Sequence, residues 1–191
     1  MLLLILGIIL FFGVHSLSIV NEPWRDRMAN KLGEIPFKGI YSVFALLGLV
    51  LLIYGYGQAR LDPVVLYTPP MWLRHLAMLL LVPVFPLLFA TYLPGAIKSK
   101  LKHPMLVAVK LWALAHLLAN GMLADVLLFG SFLAWAVADR ISMKKRSQRT
   151  LHTLKASKAN DAIALVLGLG VYVLFVLWLH SALIGVALIP Q

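Results

Sequence analysis

The groups best suited to metal chemistry in this chain are imidazoles: it has six histidines and no cysteine. The lack of thiols excludes disulfides, thiolate metal sites, iron–sulfur clusters and cysteine nucleophiles together. His116 stands twelve residues after Pro104, deep in an apolar run, and Trp112, His116 and Asn120 recur at a spacing of four that puts them on one helix face. A neutral histidine in such a place either ligates a metal or heme iron or hydrogen-bonds to a neighbouring helix. The residues alone leave both open. His15, followed by Ser16 and Ser18, poses the same choice in the first apolar run. Two imidazoles on different helices are what a heme held between helices requires. Counted from the helix ends, their depths differ by roughly 10 Å at 1.5 Å per residue, a gap that helix tilt has to close.

The remaining polar groups are placed around these two. His75, beside Arg74, is a reserve ligand. His103 is separated from His116 by thirteen residues of helix, about 20 Å, and cannot share a metal with it. With Lys100 and Lys102 it suits contact with a phosphate or a heme propionate instead. Lys110, two turns inside, either snorkels back to the interface or neutralises an acidic substrate or propionate. Asp125 lies near a helix N-terminus, where an acid is favourable without further function. His180 reads as interfacial and His152 as solvated within a basic loop. There is no glycine-rich phosphate loop, no His-Glu-x-x-His, no serine with an evident base and no paired carboxylates. Seven acidic residues, most of them in loops, give a proton-coupled transporter little to work with.

The elements that must position these groups are long apolar runs. The chain has 191 residues, 62% hydrophobic and 13% charged, more apolar surface than one soluble core of this size can bury. Runs approaching 20 apolar residues are long enough to cross a bilayer as helices. Six occur: Met1–Val20, Ile40–Gly57, Trp72–Leu93, Pro104–Gly121, Met122–Ala138 and Ala162–Ala187. The first lacks the basic start and cleavage site of a signal peptide. Pro83 and Pro86 should kink the third, Pro104 suits a helical first turn, and Asn120-Gly121 marks a tight turn between the fourth and fifth helices.

The fold expected is an all-α polytopic bundle of about six transmembrane helices, a single domain over 1–191 with a basic loop at 139–160 and a last helix at about 162–187. The first, third and fifth loops hold four, three and seven of the 17 basic residues, whereas the second loop region offers Arg60 and Arg74 and the fourth none. Since cytoplasmic loops are enriched in Lys and Arg, this alternation places both termini outside. The formal charge of +10 then faces anionic lipid headgroups, and nucleic acid is not an expected partner.

Several blocks carry a family resemblance: Gly13-Val-His15-Ser-Leu17, Tyr54-Gly-Tyr-Gly-Gln-Ala-Arg60, Pro70-Met-Trp-Leu-Arg-His75, His103-Pro104 with Lys110-Leu-Trp-Ala-Leu-Ala-His116-Leu-Leu-Ala-Asn-Gly121, and Phe129-Gly-Ser-Phe-Leu-Ala-Trp-Ala-Val-Ala-Asp-Arg140. Over residues 8–146 the chain resembles the NnrU family of bacterial membrane proteins, related to the zeta-carotene isomerases of plants and cyanobacteria. The isomerase branch implies heme b, ligated through the motifs that fall on His15 and His116, and isomerisation of a cis double bond in a carotenoid-like lipid. The NnrU branch implies a multi-pass protein of the bacterial inner membrane that supports the expression or activity of nitrite and nitric oxide reductases. Metal ligands expected on this basis are His15 and His116, with His75, His103, Lys110, Trp112 and Asn120 around the cofactor. Expected partners are membrane lipids, an isoprenoid- or carotenoid-like substrate and denitrification proteins. A non-catalytic assembly protein, or a lipid-modifying enzyme without heme, stands as the alternative.

Overall fold

The computed structural model describes residues 1–146 and 154–188, so Arg149 and His152 lie outside the described residues. The described residues are helical apart from connecting segments and one isolated antiparallel bridge. The helices are α1 (Leu2–His15), α2 (Leu17–Val20), α3 (Glu22–Leu32), α4 (Glu34–Ala59), α5 (Met71–Leu81), α6 (Val84–Tyr92), α7 (Ala96–Leu101), α8 (Pro104–Ala119), α9 (Leu123–Ser142), α10 (Lys158–Leu174) and α11 (His180–Ile184), with a π-helical turn over Phe175–Leu179 joining the last two.

Every apolar run forms helix; Pro104 acts where expected, and of the two prolines expected to kink the third run only Pro83 breaks it. Pro104 opens α8. Pro83 separates α5 from α6, because its ring removes an N–H and crowds the preceding turn, while Pro86 is accommodated in the first turn of α6. The stretches Glu34–Ala59, Met71–Tyr92 and Lys158–Ile184 are long and apolar enough to cross a membrane; Leu2–His15 and Pro104–Ala119 are apolar but shorter. Among the described residues the chain is therefore all-helical, with three candidate membrane spans.

Packing divides the chain into two compact units, Met1–Pro69 with Ala119–Gln148, and Pro70–Leu118 with Arg149–Gln191. In the first, α1 packs along α4, and α9 joins them. Small residues turn inward and large ones outward: Gly48, Leu52, Gly55 and Ala59 are buried on α4, while Val43, Leu46, Val50 and Ile53 of the same helix are more than half exposed. Water would penalise that arrangement. Lipid does not, because chain tails are as apolar as the side chains, and close backbone approach drives association instead. The approach is close indeed. A Cβ at Gly7 would lie 2.6 Å from the Leu52 nitrogen, one at Gly48 2.7 Å from the Phe11 nitrogen, and one at Gly55 would run into the Leu4 backbone. Leu4, Leu52, Ala59 and Ala124 form the core above this contact.

The second and fourth loops also meet in this unit. Val65 bridges Met122, the Leu66 and Tyr67 N–H groups donate to the Gly121 carbonyl, and Leu123 N–H donates to Val64. Gly121 is needed because any Cβ would strike the Tyr67 carbonyl. Beside it, Asp125 is 2% exposed and accepts from the Tyr56 hydroxyl at 2.6 Å and the Met122 N–H at 2.9 Å. The helix N-terminus expected for Asp125 is where it sits, and it serves in addition as a cross-link from α9 to α4. Asp125→Asn keeps the size but weakens the acceptor; with a charge-assisted bond worth about 1.5–3 kcal/mol, it should lower the thermal midpoint in detergent measurably, whereas Asp62→Asn on the loop should not.

In the second unit α6 packs on α10 through another small-residue face, Asn160, Ala164 and Gly168. Gly168 meets the Pro86 backbone. The start of α10 also clamps the third loop. The Asp161 carboxyl accepts from Ala96 N–H at 2.7 Å and Ile97 N–H at 3.1 Å, and the Asn160 amide donates to the carbonyls of Pro94 and Lys155. Val84, Leu87 and Ala108 make the core, with Leu111 and Trp112 packed against it from α8.

Candidate functional site

His15 ends α1 and is held by its own helix. Its Nδ1 lies 2.7 Å from the Phe11 carbonyl oxygen. A carbonyl only accepts, so Nδ1 carries a proton, and in the neutral tautomer this leaves Nε2 as the lone-pair nitrogen. The ring stacks on Phe11 at 4.1 Å between centroids and meets the edges of Tyr41 (5.4 Å) and Trp135 (5.9 Å, 90°). Phe12 and Phe132 continue this aromatic cluster. The Trp135 indole N–H is buried and has no hydrogen-bond partner among the described residues. A buried orphan donor costs free energy, so the cluster around His15 retains an unanswered demand for an acceptor.

His116 repeats the arrangement in the other unit. Its Nδ1 lies 2.7 Å from the Trp112 carbonyl oxygen, which fixes the same tautomer, and the Trp112 ring stands 5.1 Å from the imidazole. Both side chains are half-buried. The shared helix face of Trp112 and His116 follows from their spacing. α8 ends at Ala119, so Asn120 is the first residue past its last turn.

The other candidates are scattered. His75 is exposed on α5. His103 is half-buried just before α8, following Lys102, whose φ of 61° marks the tight reversal between α7 and α8. Lys110 is half-buried within α8. His180 is half-buried after the π-helical turn, its Nδ1 2.8 Å from the Val186 carbonyl. Among the described residues no three His, Asp or Glu side chains gather as a metal cluster. Iron held by a porphyrin needs no such cluster, since the macrocycle supplies four ligands and the protein one or two axial ones.

Sequence reasoning passed over Tyr41 and Trp135 beside His15, and Tyr56 as the partner of Asp125. Trp135 stood in a recognised block, but nothing local says which helix it faces. It also passed over α3, although Asn21 caps it by accepting from Trp24 N–H at 3.0 Å and Pro23 sits in its first turn, a start signal readable in Asn21-Glu22-Pro23.

Comparison with curated proteins and with solved structures returns no match. The family model described as NnrU protein matches residues 3–188, extending the resemblance past 146 to include the last helix. A match over nearly the whole chain, on top of apolar helices packed by their small faces, settles the classification: the chain belongs to the NnrU protein family.

Proposed function

We propose that this protein binds heme b in the bacterial inner membrane, with His15 and His116 as the histidines that would hold its iron, and supports the nitrite and nitric oxide reductases of denitrification. The observation that carries the reading is the twin device on the two histidines: each donates Nδ1–H to the carbonyl four residues earlier, which orients the ring and leaves Nε2 as a ligand atom. Metal-bound histidines are held in this way by their second nitrogen. The orphan Trp135 N–H beside His15 fits a bound group carrying acceptors, and the absence of cysteine leaves imidazole as the natural ligand.

Within this reading the chain's own residues bind and orient. The Phe11, Tyr41 and Trp135 rings shield His15 from water, and Trp112 does so for His116. Lys110 and His103 are the groups proposed to neutralise propionates. When bound, heme would supply an iron that cycles between two oxidation states. The topology proposed is six spans with both termini outside, supported by the loop-by-loop distribution of Lys and Arg. In a denitrifying strain lacking the gene, the intact protein should restore nitrite and nitric oxide reductase activity and His116→Ala should leave it at the deletion level. Full restoration by His116→Ala would overturn the role given to that histidine.

A further inference from the structure

The first unit holds a cleft of about 520 Å³ that none of the heme chemistry uses. It opens where α2 and the start of α3 face the C-terminal end of α9. Its walls divide by chemistry: Ile19, Ala138 and Ile141 are apolar, Ser18 and Ser142 carry hydroxyls, and Glu22, Lys145 and Arg146 are charged. Arg146 is tied on one side to Asp139, while its Nε–H is buried with no partner among the described residues. A guanidinium with one edge satisfied and a donor left over is built for a further oxygen acceptor. Lys145 is exposed at the rim and Lys144 precedes it.

We propose that this cleft is a binding site for an anionic glycerophospholipid of the phosphatidylglycerol type. The phosphodiester would take Arg146 and Lys145, the headgroup hydroxyls would meet Glu22 and the serines, and the acyl chains would leave along Ile19, Ala138 and Ile141. Two observations favour a lipid over a free anion: the volume far exceeds what a phosphate ion needs, and one wall is apolar. The basic run favours an anionic lipid over a zwitterionic one. The proposal is independent of heme, and its readout is lipid alone.

The test is native mass spectrometry of the purified full chain, titrated with phosphatidylglycerol, phosphatidylethanolamine or phosphatidylcholine, and with inorganic phosphate as competitor. Phosphatidylglycerol should be retained at least ten-fold more tightly than phosphatidylcholine. Lys145→Gln should reduce that preference about five-fold, the effect of one basic residue on an anionic lipid. Arg146→Gln combined with Asp139→Asn removes the ion pair as a unit, so that no buried carboxylate is stranded, and should abolish most of what remains. Equal retention of the three lipids, an unchanged preference in both variants, or displacement of phosphatidylglycerol by millimolar phosphate would each overturn the assignment.

Discussion

Gly55→Leu is expected to leave the protein without its α1–α4 contact, while Gly57→Leu, two residues along the same helix, is expected to be nearly silent. At Gly55 a Cβ would meet the backbone of Leu4, and the neighbouring contacts at Gly7 and Gly48 are with backbone atoms too. No rotamer change can move a backbone nitrogen aside. The two helices would have to separate along their length, exposing Leu4 and Leu52 and opening the core they share with Ala59 and Ala124. Ordinary overpacking costs about 1–3 kcal/mol; separation at the central pair of the first unit should exceed that range. Gly57 has open space around it and faces outward, so leucine there only adds apolar surface to lipid. Size-exclusion profiles and thermal melts in detergent separate the two variants. Equal behaviour would mean that the small-residue face does not hold the pair together.

The second large effect concerns the two histidines. His15→Ala and His116→Ala should each remove most of the bound tetrapyrrole, with occupancy falling roughly ten-fold or more, the scale on which lost support around a metal shows in affinity. Fold should survive. Each imidazole makes one hydrogen bond to its own helix, worth about 0.5–1.5 kcal/mol net, and His15 also packs against Tyr41 and Trp135, so the loss on folding should be modest. The contrast separates ligation from mere helix packing: a packing role lowers the melting temperature and leaves the chromophore per folded molecule unchanged. Ligation does the reverse. Asp62→Ala, on the loop after α4, is the control and should change neither.

Much of this architecture was legible in the residues. Apolar runs marked the helices, and Pro83 and Pro104 marked a break and a start; His15 and His116 drew notice only as candidates, because imidazole is costly in lipid. What the chain does not display locally is which faces meet. Gly55 and Gly57 look alike in Tyr54-Gly-Tyr-Gly-Gln; only the crossing of α1 distinguishes the one pressed on a backbone from the one facing out. The pairing of the second loop with Gly121, the Tyr56–Asp125 bond across 69 residues and the Asp161 clamp on Ala96 and Ile97 are likewise long-range. A single sequence carries no pattern for such contacts, since periodicity reports only the face of one helix at a time. Asn120-Gly121 shows both sides of this: the turn it marks was readable locally, and the second loop that pairs with Gly121 was not.

The central claim is that His15 and His116 hold heme, and the visible absorption spectrum tests it most directly. The full chain, expressed with ample heme and purified in mild detergent, should show a Soret band with close to one heme per chain, sharpened on reduction as expected for two imidazole ligands, and lost in His116→Ala. A folded, monodisperse preparation with no Soret band, or one whose band persists unchanged in both His15→Ala and His116→Ala, would contradict it.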